Sequence, residues 1–376
     1  MATQGFKFQI TFRRLLVGLL ATVVPISILA LYTVPDSRKN FEKVIGAHLQ
    51  SVAESTATEV ADFVHYTVLE SGVMAVNPTL LDAVIAANRS HQGMSEAAFI
   101  NKVRSVQQEW NTEKATPVVE QILSSPASRL LRRYCDLDKK FLRITVANEK
   151  GVTVAATQKP RNYYRGDLEF WERIYAQGKG AISLSDVGYD PLTKSHYVGI
   201  GMPILEPGSG SLVGTMEALI EVSSIFPVIN RAQTSPTMRA FLARQDGEVI
   251  SGPNLTAPRA VKSEEYQAVH DRLSAADGRP TGYLVTRLKQ LGPTLIGFAD
   301  TGLKKDYKDL AWSVVISQPT KDAFAPVRRA ERLIELMILV GLLALIFLAV
   351  YFSLHRKDEI QETEEEFNPE SRAKVA

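Results

Sequence analysis

A short strand–turn–strand pattern decides the fold, and it stands at residues 141–154, which read FLRITVANEKGVTV. Apolar and polar residues alternate over residues 142–146, which is the period of a β-strand with one buried face. Residues 148–151 (NEKG) have the composition of a tight turn, and apolar residues return over residues 152–154. The pattern predicts a β-hairpin.

The segments that follow the hairpin predict a complete module. A loop rich in Tyr and Arg occupies residues 159–167, and a short helical pattern over residues 168–177 ends at Gly178. Strand patterns then follow at residues 181–185, 197–204 and 212–222. A helix, a hairpin, a second helix and a three-stranded meander resemble a PAS-like α/β module with a five-stranded antiparallel sheet.

The same pattern recurs once in the chain. Residues 147–154 resemble residues 243–250 at a shift of 96 residues, and at that shift Glu221, near the end of the last strand, corresponds to Ser317. The second copy is smaller, with a helix predicted at residues 264–274 and strands around residues 282–287 and 294–299. Two landmarks with one spacing predict a tandem pair of modules.

The region before the modules has the pattern of a long helix. Between Phe41 and Met74, apolar residues recur at intervals of three and four, which is the amphipathic helix period. Asp36 or Ser37 can cap the start of this helix and Asn77-Pro78 is a natural stop, and a helix of about 40 residues is about 60 Å long. The stalk-helix segment as a whole is placed at residues 35–87. Such a helix either spans two stacked modules or pairs with a second copy of itself.

Two uncharged runs flank the central region: residues 15–34 and residues 336–354. Each matches the thickness of a bilayer core. The alternatives are a cleaved signal peptide for the first run, against which residues 31–35 make a poor cleavage site, and a buried core helix for the second. We predict two membrane-spanning helices, at residues 15–34 and 333–354.

This arrangement places both ends of the chain in the cytoplasm. Residues 1–14 are then the cytoplasmic N-terminus, residues 35–332 are extracytoplasmic, and residues 355–376 form an acidic cytoplasmic tail. The tail is too short for a folded kinase, cyclase or coiled-coil signalling hairpin. The expected location is the inner (plasma) membrane.

Composition and motifs exclude several classes of function. With 43 Lys and Arg against 41 Asp and Glu, the chain lacks the basic excess of a nucleic-acid-binding protein. The single cysteine, Cys135, cannot form an intramolecular disulfide or a thiolate cluster. The glycines at 199 and 201 and at 178 and 180 lack the spacing of phosphate-binding loops, and the six histidines are scattered. We expect no enzymatic activity, no catalytic residues, no metal site and no cofactor.

At this point the residues resemble a known family. The stretches at 163–165, 170–171, 178–186 and 213–223 are similar to the membrane-distal module of double Cache sensor domains, and residues 312–324 are similar to the closing strand and exit of the proximal module. The resemblance implies a distal module at residues 88–232 and a proximal module at residues 233–327. The predicted fold class is therefore α/β (α+β), with a long N-terminal helix and two tandem PAS-like modules between two transmembrane helices.

The family also implies a function. Chemotaxis receptors and sensor histidine kinases use this domain outside the membrane, with a small molecule in the distal module and the long helix in a homodimer. We therefore expect a membrane-anchored sensor that passes its signal through the second span to a separate output protein. The alternative is a structural or assembly subunit that keeps the double Cache fold without a ligand.

Aromatic and charged residues concentrate where the family binds its ligand. The candidate ligand-binding residues are Tyr163, Tyr164, Arg165, Trp171, Tyr189, Asp190, Tyr197, Glu217 and Glu221. An arginine among aromatic rings suits a carboxylate or an ammonium group, so the expected ligand is an organic acid, an amine, an amino acid or a purine. Two questions stay open: Trp171 either packs in the core or lines the pocket, and Glu217 and Glu221 face either the pocket or solvent.

One position departs from the amino-acid-binding members of the family. Where those members carry an arginine, this chain has Leu168, and where they carry an aspartate, it has Glu221. Arg165, three residues upstream, is the candidate substitute. This departure keeps the ligand classes open.

Overall fold

The computed structural model describes residues 12–112, 116–253, 255, 258–275 and 280–366. These residues form two compact units, one of Gly46–Pro319 and one of the two terminal segments, up to Ile45 and from Thr320 onward. The predicted α+β class is confirmed, with a long N-terminal helix and two antiparallel sheets.

The first helix, α1, runs from Phe12 to Ala75. It ends where the sequence requires an end, because Asn77 has extended backbone angles before Pro78 and its side chain accepts a hydrogen bond from Thr79 N at 2.9 Å. The predicted stalk segment extended to residue 87, whereas the chain here turns and begins a second helix. Four helices complete the helical layer of the distal module: α2 (Pro78–His91), α3 (Glu96–Trp110), α4 (Pro117–Leu123) and α5 (Pro126–Leu137).

The first sheet contains the predicted hairpin. Its strands are β1 (Phe141–Asn148), β2 (Thr153–Ala156), β3 (Ser183–Leu184), β4 (Gly188–Asp190), β5 (Ser195–Leu205) and β6 (Leu212–Glu221). The order is β2-β1-β6-β5-β3, with β4 also paired to β5, and all pairs are antiparallel. In the described part of the chain the sheet therefore has six strands, one more than predicted, because β4 is a three-residue strand with no hydrophobic pattern. Helix α6 (Glu169–Tyr175) connects β2 to β3.

The register of this sheet separates its two faces. Ile144, Ala218 and Ile200 are aligned across β1, β6 and β5 and lie on one face, together with other buried apolar side chains. Arg143, Leu219 and Gly199 are aligned one residue away and lie on the other face. The first face packs toward the helices, and the second carries the polar residues.

The second sheet repeats the arrangement of the first. A short helix, α7 (Phe226–Arg231), leads into the strands β7 (Arg239–Arg244), β8 (Glu248–Ser251), β9 (Arg259–Lys262), β10 (Thr281–Leu288), β11 (Gly292–Asp300) and β12 (Trp312–Pro319), with α8 (Glu264–Ala275) before β10. The order β8-β7-β12-β11-β10 corresponds strand for strand to β2-β1-β6-β5-β3, and β9 extends the edge at β8. The two chain segments with a 96-residue shift thus form equivalent hairpins, β1–β2 and β7–β8.

Helix α1 contacts both sheets along one side. Near its middle, Phe63 and Thr67 border a narrow apolar crevice with Ile200 of β5 and Trp312 of β12. Farther toward the N-terminus, Gly297 of β11 lies directly against the α1 backbone: a Cβ at Gly297 would sit 2.5 Å from the Leu49 carbonyl carbon. Leu49 itself is fully buried.

A charged junction joins the two sheet modules. Trp312 Nε1 donates to Asp186 Oδ1 at 3.0 Å, and Arg244 Nε lies 2.8 Å from Asp186 Oδ2. Arg173 of α6 also pairs with Asp309, which precedes β12. The modules are therefore connected by polar contacts on the side where α6 and the β3–β4 segment lie.

The chain continues from β12 into α9 (Thr320–Ala323) and α10 (Ala325–Glu366). Within the described residues, no single helix offers a stretch both long enough and apolar enough to cross a membrane. Two consecutive helical segments, Lys39–Ala75 and Pro78–His91, are long and apolar enough only when they are taken together, and the chain bends by 59° between them. The predicted spans at residues 15–34 and 333–354 fall within α1 and α10, several of their side chains lie outside the described residues, and they stay predictions.

The close approach at Gly297 predicts a stability effect. Gly297→Ala should destabilise residues 46–319 by roughly 2–3 kcal/mol, because the added methyl group meets helix backbone that cannot move away. Gly72→Ala on α1 is the matched control, since the added carbon meets only the flexible Met202 Cε, at 3.2 Å, and alanine favours a helix more than glycine does. Urea unfolding of the full-length protein measures both; equal losses for the two variants would contradict the packing described here.

Candidate functional site

A large open pocket lies on the polar face of the first sheet. Its volume is about 1440 Å³, and its walls are α3, the loop at residues 159–167 and the hairpin of β4 and β5. Tyr164, Tyr189, Asp190 and Tyr197 line it, so the structure brings together four of the predicted site residues. The other five, Tyr163, Arg165, Trp171, Glu217 and Glu221, are not among the residues that line this pocket in the described part of the chain.

Tyr163 belongs to the core behind the pocket wall. Its ring lies 5.4 Å from that of Trp110, and both side chains are buried with Phe99 and Val103. Burial raises the pKa of the Tyr163 phenol to about 12. Tyr163 therefore supports the wall, whereas its neighbour Tyr164 lines the pocket.

The loop at residues 159–167 is fixed at two points by its own backbone. Gln107 Oε1 on α3 accepts hydrogen bonds from Tyr163 N at 2.9 Å and from Tyr164 N at 3.1 Å. Arg165 N donates to Gly151 O at 2.7 Å, in the turn between β1 and β2. Gly151 has a φ of 78° and lies against the backbone of the loop, so a side chain at this position would collide with it.

The Arg165 side chain provides a third attachment. Its guanidinium forms an ion pair with Glu217 of β6, and both side chains are largely buried. Two of the four charged residues predicted to contact a ligand are therefore paired with each other. Glu217 lies on the polar side of the sheet, and its charge is paired with that of Arg165.

The Trp171 side chain packs against its neighbours and is not among the described residues that line the pocket. Its ring stacks on Tyr175 at a centroid distance of 4.7 Å, four residues along α6, and it is buried. Helix α6 can approach the sheet closely because Gly199 and Gly201 of β5 leave space for Phe170 and Ile174. Trp171 is thus part of the layer that covers one end of the polar face.

Glu221 lies at the end of β6, opposite Tyr197 in the ladder. It borders the narrow apolar crevice near Thr67 and Trp312, and is half-buried. Glu221, which stands at the position expected for the family's aspartate, therefore lies next to Tyr197 but is not among the described residues that line the large pocket.

Sequence reasoning missed several residues of the pocket. Arg143 of β1 reaches the floor, and Phe99, Gln107 and Trp110 of α3 form a wall. Arg143 and Thr145 are the polar members of the alternating strand pattern, so the pattern already indicated the face that they share. The contribution of α3 had no local signal, because it depends on how a separate helix packs.

Opposite charges surround the phenol of Tyr197. Burial is the main cause that raises its pKa; nearby Glu217 raises the pKa further, and Arg143 opposes that effect. Arg143 in turn lies 3.5 Å from Asp190, measured between Nη1 and Oδ1. The floor of the pocket therefore holds the Arg143–Asp190 pair beside the Tyr197 phenol, and the Arg165–Glu217 pair lies outside the pocket lining.

These features define a class of protein: a tandem PAS-like sensor with a ligand-sized pocket in one module. The chain belongs to the Cache domain family, whose double Cache model matches residues 37–327. The family resemblance read from the sequence is thereby confirmed. Double Cache domains are extracytoplasmic sensor domains of membrane receptors, and they bind ligands without catalysing a reaction.

The chain is similar to several solved structures at low sequence identity. The sensory domain of the Campylobacter jejuni chemoreceptor Tlp3 with isoleucine bound is 13% identical, covers 77% of this chain and 98% of its own, and has a TM-score of 0.47. The ligand-binding domain of the Pseudomonas aeruginosa amino acid chemoreceptor PctB with L-Arg is 14% identical, covers 76% of this chain and 91% of its own, and has a TM-score of 0.43. The sensor domain of the V. cholerae histidine kinase DctB is 11% identical, covers 74% of this chain and 98% of its own, and has a TM-score of 0.44. No protein of curated function matches the chain in sequence.

The buried ion pair predicts a strong coupling between two side chains. Glu217→Ala should destabilise the protein by about 3–5 kcal/mol, because it leaves the Arg165 charge buried without a partner. The double variant Arg165→Met with Glu217→Leu should recover most of that loss. Denaturant unfolding of Arg165→Met, of Glu217→Leu and of the double variant, beside the wild type, measures the coupling energy.

An exposed pair serves as the control. Arg231 and Glu59 lie 2.8 Å apart with both side chains more than half exposed, so Glu59→Ala should cost less than about 1 kcal/mol. A loss for Glu217→Ala no larger than that for Glu59→Ala would show that the Arg165 pair does not fix the loop.

Proposed function

We propose that the chain is a membrane-anchored extracytoplasmic sensor whose distal module binds a small molecule. The observation that carries this proposal is the difference between the two modules on equivalent faces of their sheets. At the 96-residue shift, Thr145 and Leu219 on the polar face of the first sheet correspond to Phe241 and Val315 in the second. There, α8 fills the face with a buried apolar cluster, whereas the first sheet has an open pocket of about 1440 Å³.

The sequence supports the anchoring part of the proposal. Residues 15–34 and 336–354 are uncharged runs of the length that spans a bilayer core. With these as anchors, residues 35–332 stand outside the inner membrane, which is where double Cache domains act. A neighbouring signalling protein in the same membrane is the proposed receiver of the output.

The connection from the sensor to the second anchor is direct in sequence. Strand β12 ends at Pro319, α9 begins at the next residue, and α10 extends from Ala325 to Glu366. A ligand that binds one arrangement of the modules more tightly than another shifts the population toward it. In this proposal the shift is transmitted along α10 through residues 333–354.

The proposed homodimer rests on one exposed face at the C-terminal end of α1, together with Val76, which directly follows the helix. Tyr66, Leu69, Val73 and Val76 are each more than 60% exposed. Their spacing of three, four and three residues is that of a coiled-coil seam, in which the same residues of two helices meet. A second copy of the chain is the partner that such a self-complementary face fits.

Binding predicts a measurable stabilisation. Screening the full-length protein against a library of small organic acids, amines, amino acids and purines should raise the melting temperature for at least one class, because a ligand that binds only the folded state stabilises it by mass action. Tyr197→Ala, at the pocket, should abolish the shift, whereas His270→Ala, on α8 of the other module, should keep it. The absence of any stabilising compound would count against the sensor and in favour of the ligand-free assembly subunit.

The dimer has its own test. Leu69→Glu combined with Val73→Glu should shift the full-length protein from dimer to monomer in sedimentation, because the substitutions place charges in the proposed seam. Leu137→Glu is the matched control, since Leu137 is 77% exposed on α5. An unchanged mass for the seam variant would show that α1 does not pair in this way.

A further inference from the structure

Arg143 enters the pocket from the strand that decides the fold, and its guanidinium is almost enclosed. Its side chain is 12% exposed, and it lines the floor near Asp190 and Tyr197. Nη1 faces Asp190 at 3.5 Å, while Nε is buried without a hydrogen-bond partner among the described residues. A buried donor of this kind is rare in folded proteins, since the loss of water is not compensated.

The carboxylates at and near the floor are already engaged. Asp190 Oδ1 faces Arg143, and Asp190 Oδ2 accepts a hydrogen bond from Thr193 Oγ1 at 3.0 Å. Glu217 is paired with Arg165. Asp190 on the floor and Glu217 outside the pocket lining are therefore both paired, whereas Arg143 Nε has no hydrogen-bond partner among the described residues.

The geometry of the guanidinium group determines which ligand group the Nε donor can bind. Nε and Nη2 lie on one edge of the planar group and point in parallel, which is the geometry that matches the two oxygens of a carboxylate. Asp190 contacts Nη1, away from that edge. A carboxylate seated on the Nε edge therefore leaves the contact between Nη1 and Asp190 intact.

We propose, on the basis of the proposed sensor function, that Arg143 is a ligand-binding residue and that the ligand carries a carboxylate seated on its Nε edge. Asp190 is the positioning residue that holds Nη1 and so turns the edge toward the pocket. Tyr164 and Tyr197 provide aromatic walls for the rest of the molecule. Neutral purines and simple amines lack the group that this floor accepts.

The test changes the carboxylate of the ligand and the Arg143 side chain, separately and together, and compares the binding affinities. Small carboxylic acids, including amino acids, are screened on the full-length protein by thermal shift beside their primary amides and beside purines and amines without a carboxylate. The affinity of each compound that binds is then measured by calorimetry for the wild type, for Arg143→Gln and for Arg143→Lys. The expected hits are carboxylates, with a loss of about 10–100-fold for Arg143→Gln and for the amide analogue, since one charge-assisted hydrogen bond has that worth.

Two further comparisons make the result specific. The amide should bind Arg143→Gln no more weakly than it binds the wild type, because the interaction is already absent from the pair. Arg143→Lys keeps the charge but lacks the paired donors, so it should recover only part of the affinity. Arg89→Gln, on exposed α2 outside the pocket, is the charge-matched control and should leave affinity within about threefold, as expected for a distant exposed charge.

The outcomes separate this inference from the function on which it rests. Hits without a carboxylate, or carboxylate hits that Arg143→Gln binds as tightly as the wild type does, would overturn the role of Arg143 and keep the sensor. No hits of any class would overturn the sensor itself. If Arg143→Gln fails to fold, the Arg143→Lys variant and the acid–amide comparison on the wild type decide the question.

Discussion

The packing of both sheets against one side of α1 is the constraint on which the rest of the structure depends. Leu49 lies against the backbone of Gly297 in the second module, and Thr67 borders the crevice beside Ile200 in the first. A sheet that buries one face on a helix has only its other face left for function, because side chains alternate along each strand. The long helix therefore decides, in both modules, which residues of every strand can reach a ligand.

On the remaining face, the covering helix decides between a core and a pocket. In the second module, α8 closes the face with Tyr266 and Val269 over Phe241 and Phe298. In the first module, α6 closes only the part above Gly199 and Gly201. The rest is bordered by α3 and by a loop held through backbone contacts, which leaves an open pocket. Duplicate modules thus differ in function because of their coverings, while their strand order is the same.

The sequence predicted the parts of the fold that depend on local pattern. The alternation over residues 142–146, the turn at Gly151 and the 96-residue shift all correspond to strands observed in equivalent positions. The predicted charged site was less complete, because partners of buried charges come from distant segments: Arg165 and Glu217 are 52 residues apart and form a pair that neither local context shows. Arg143 was overlooked because of its local pattern. An arginine that alternates with apolar residues along a strand has the pattern of an ordinary solvent-facing position.

The pocket and the junction between the modules share one short segment. Asp190 ends β4 at the pocket, and Asp186, four residues earlier, accepts the indole hydrogen bond of Trp312 and pairs with Arg244. Trp312 is the first residue of β12, the strand that leads into α9 and α10. A ligand that changes the position of Asp190 therefore acts on a segment whose other end is attached to the second module. Such a connection carries a signal only if the ligand binds two arrangements of that segment with different affinity, because equal affinity shifts no population, however tight the binding.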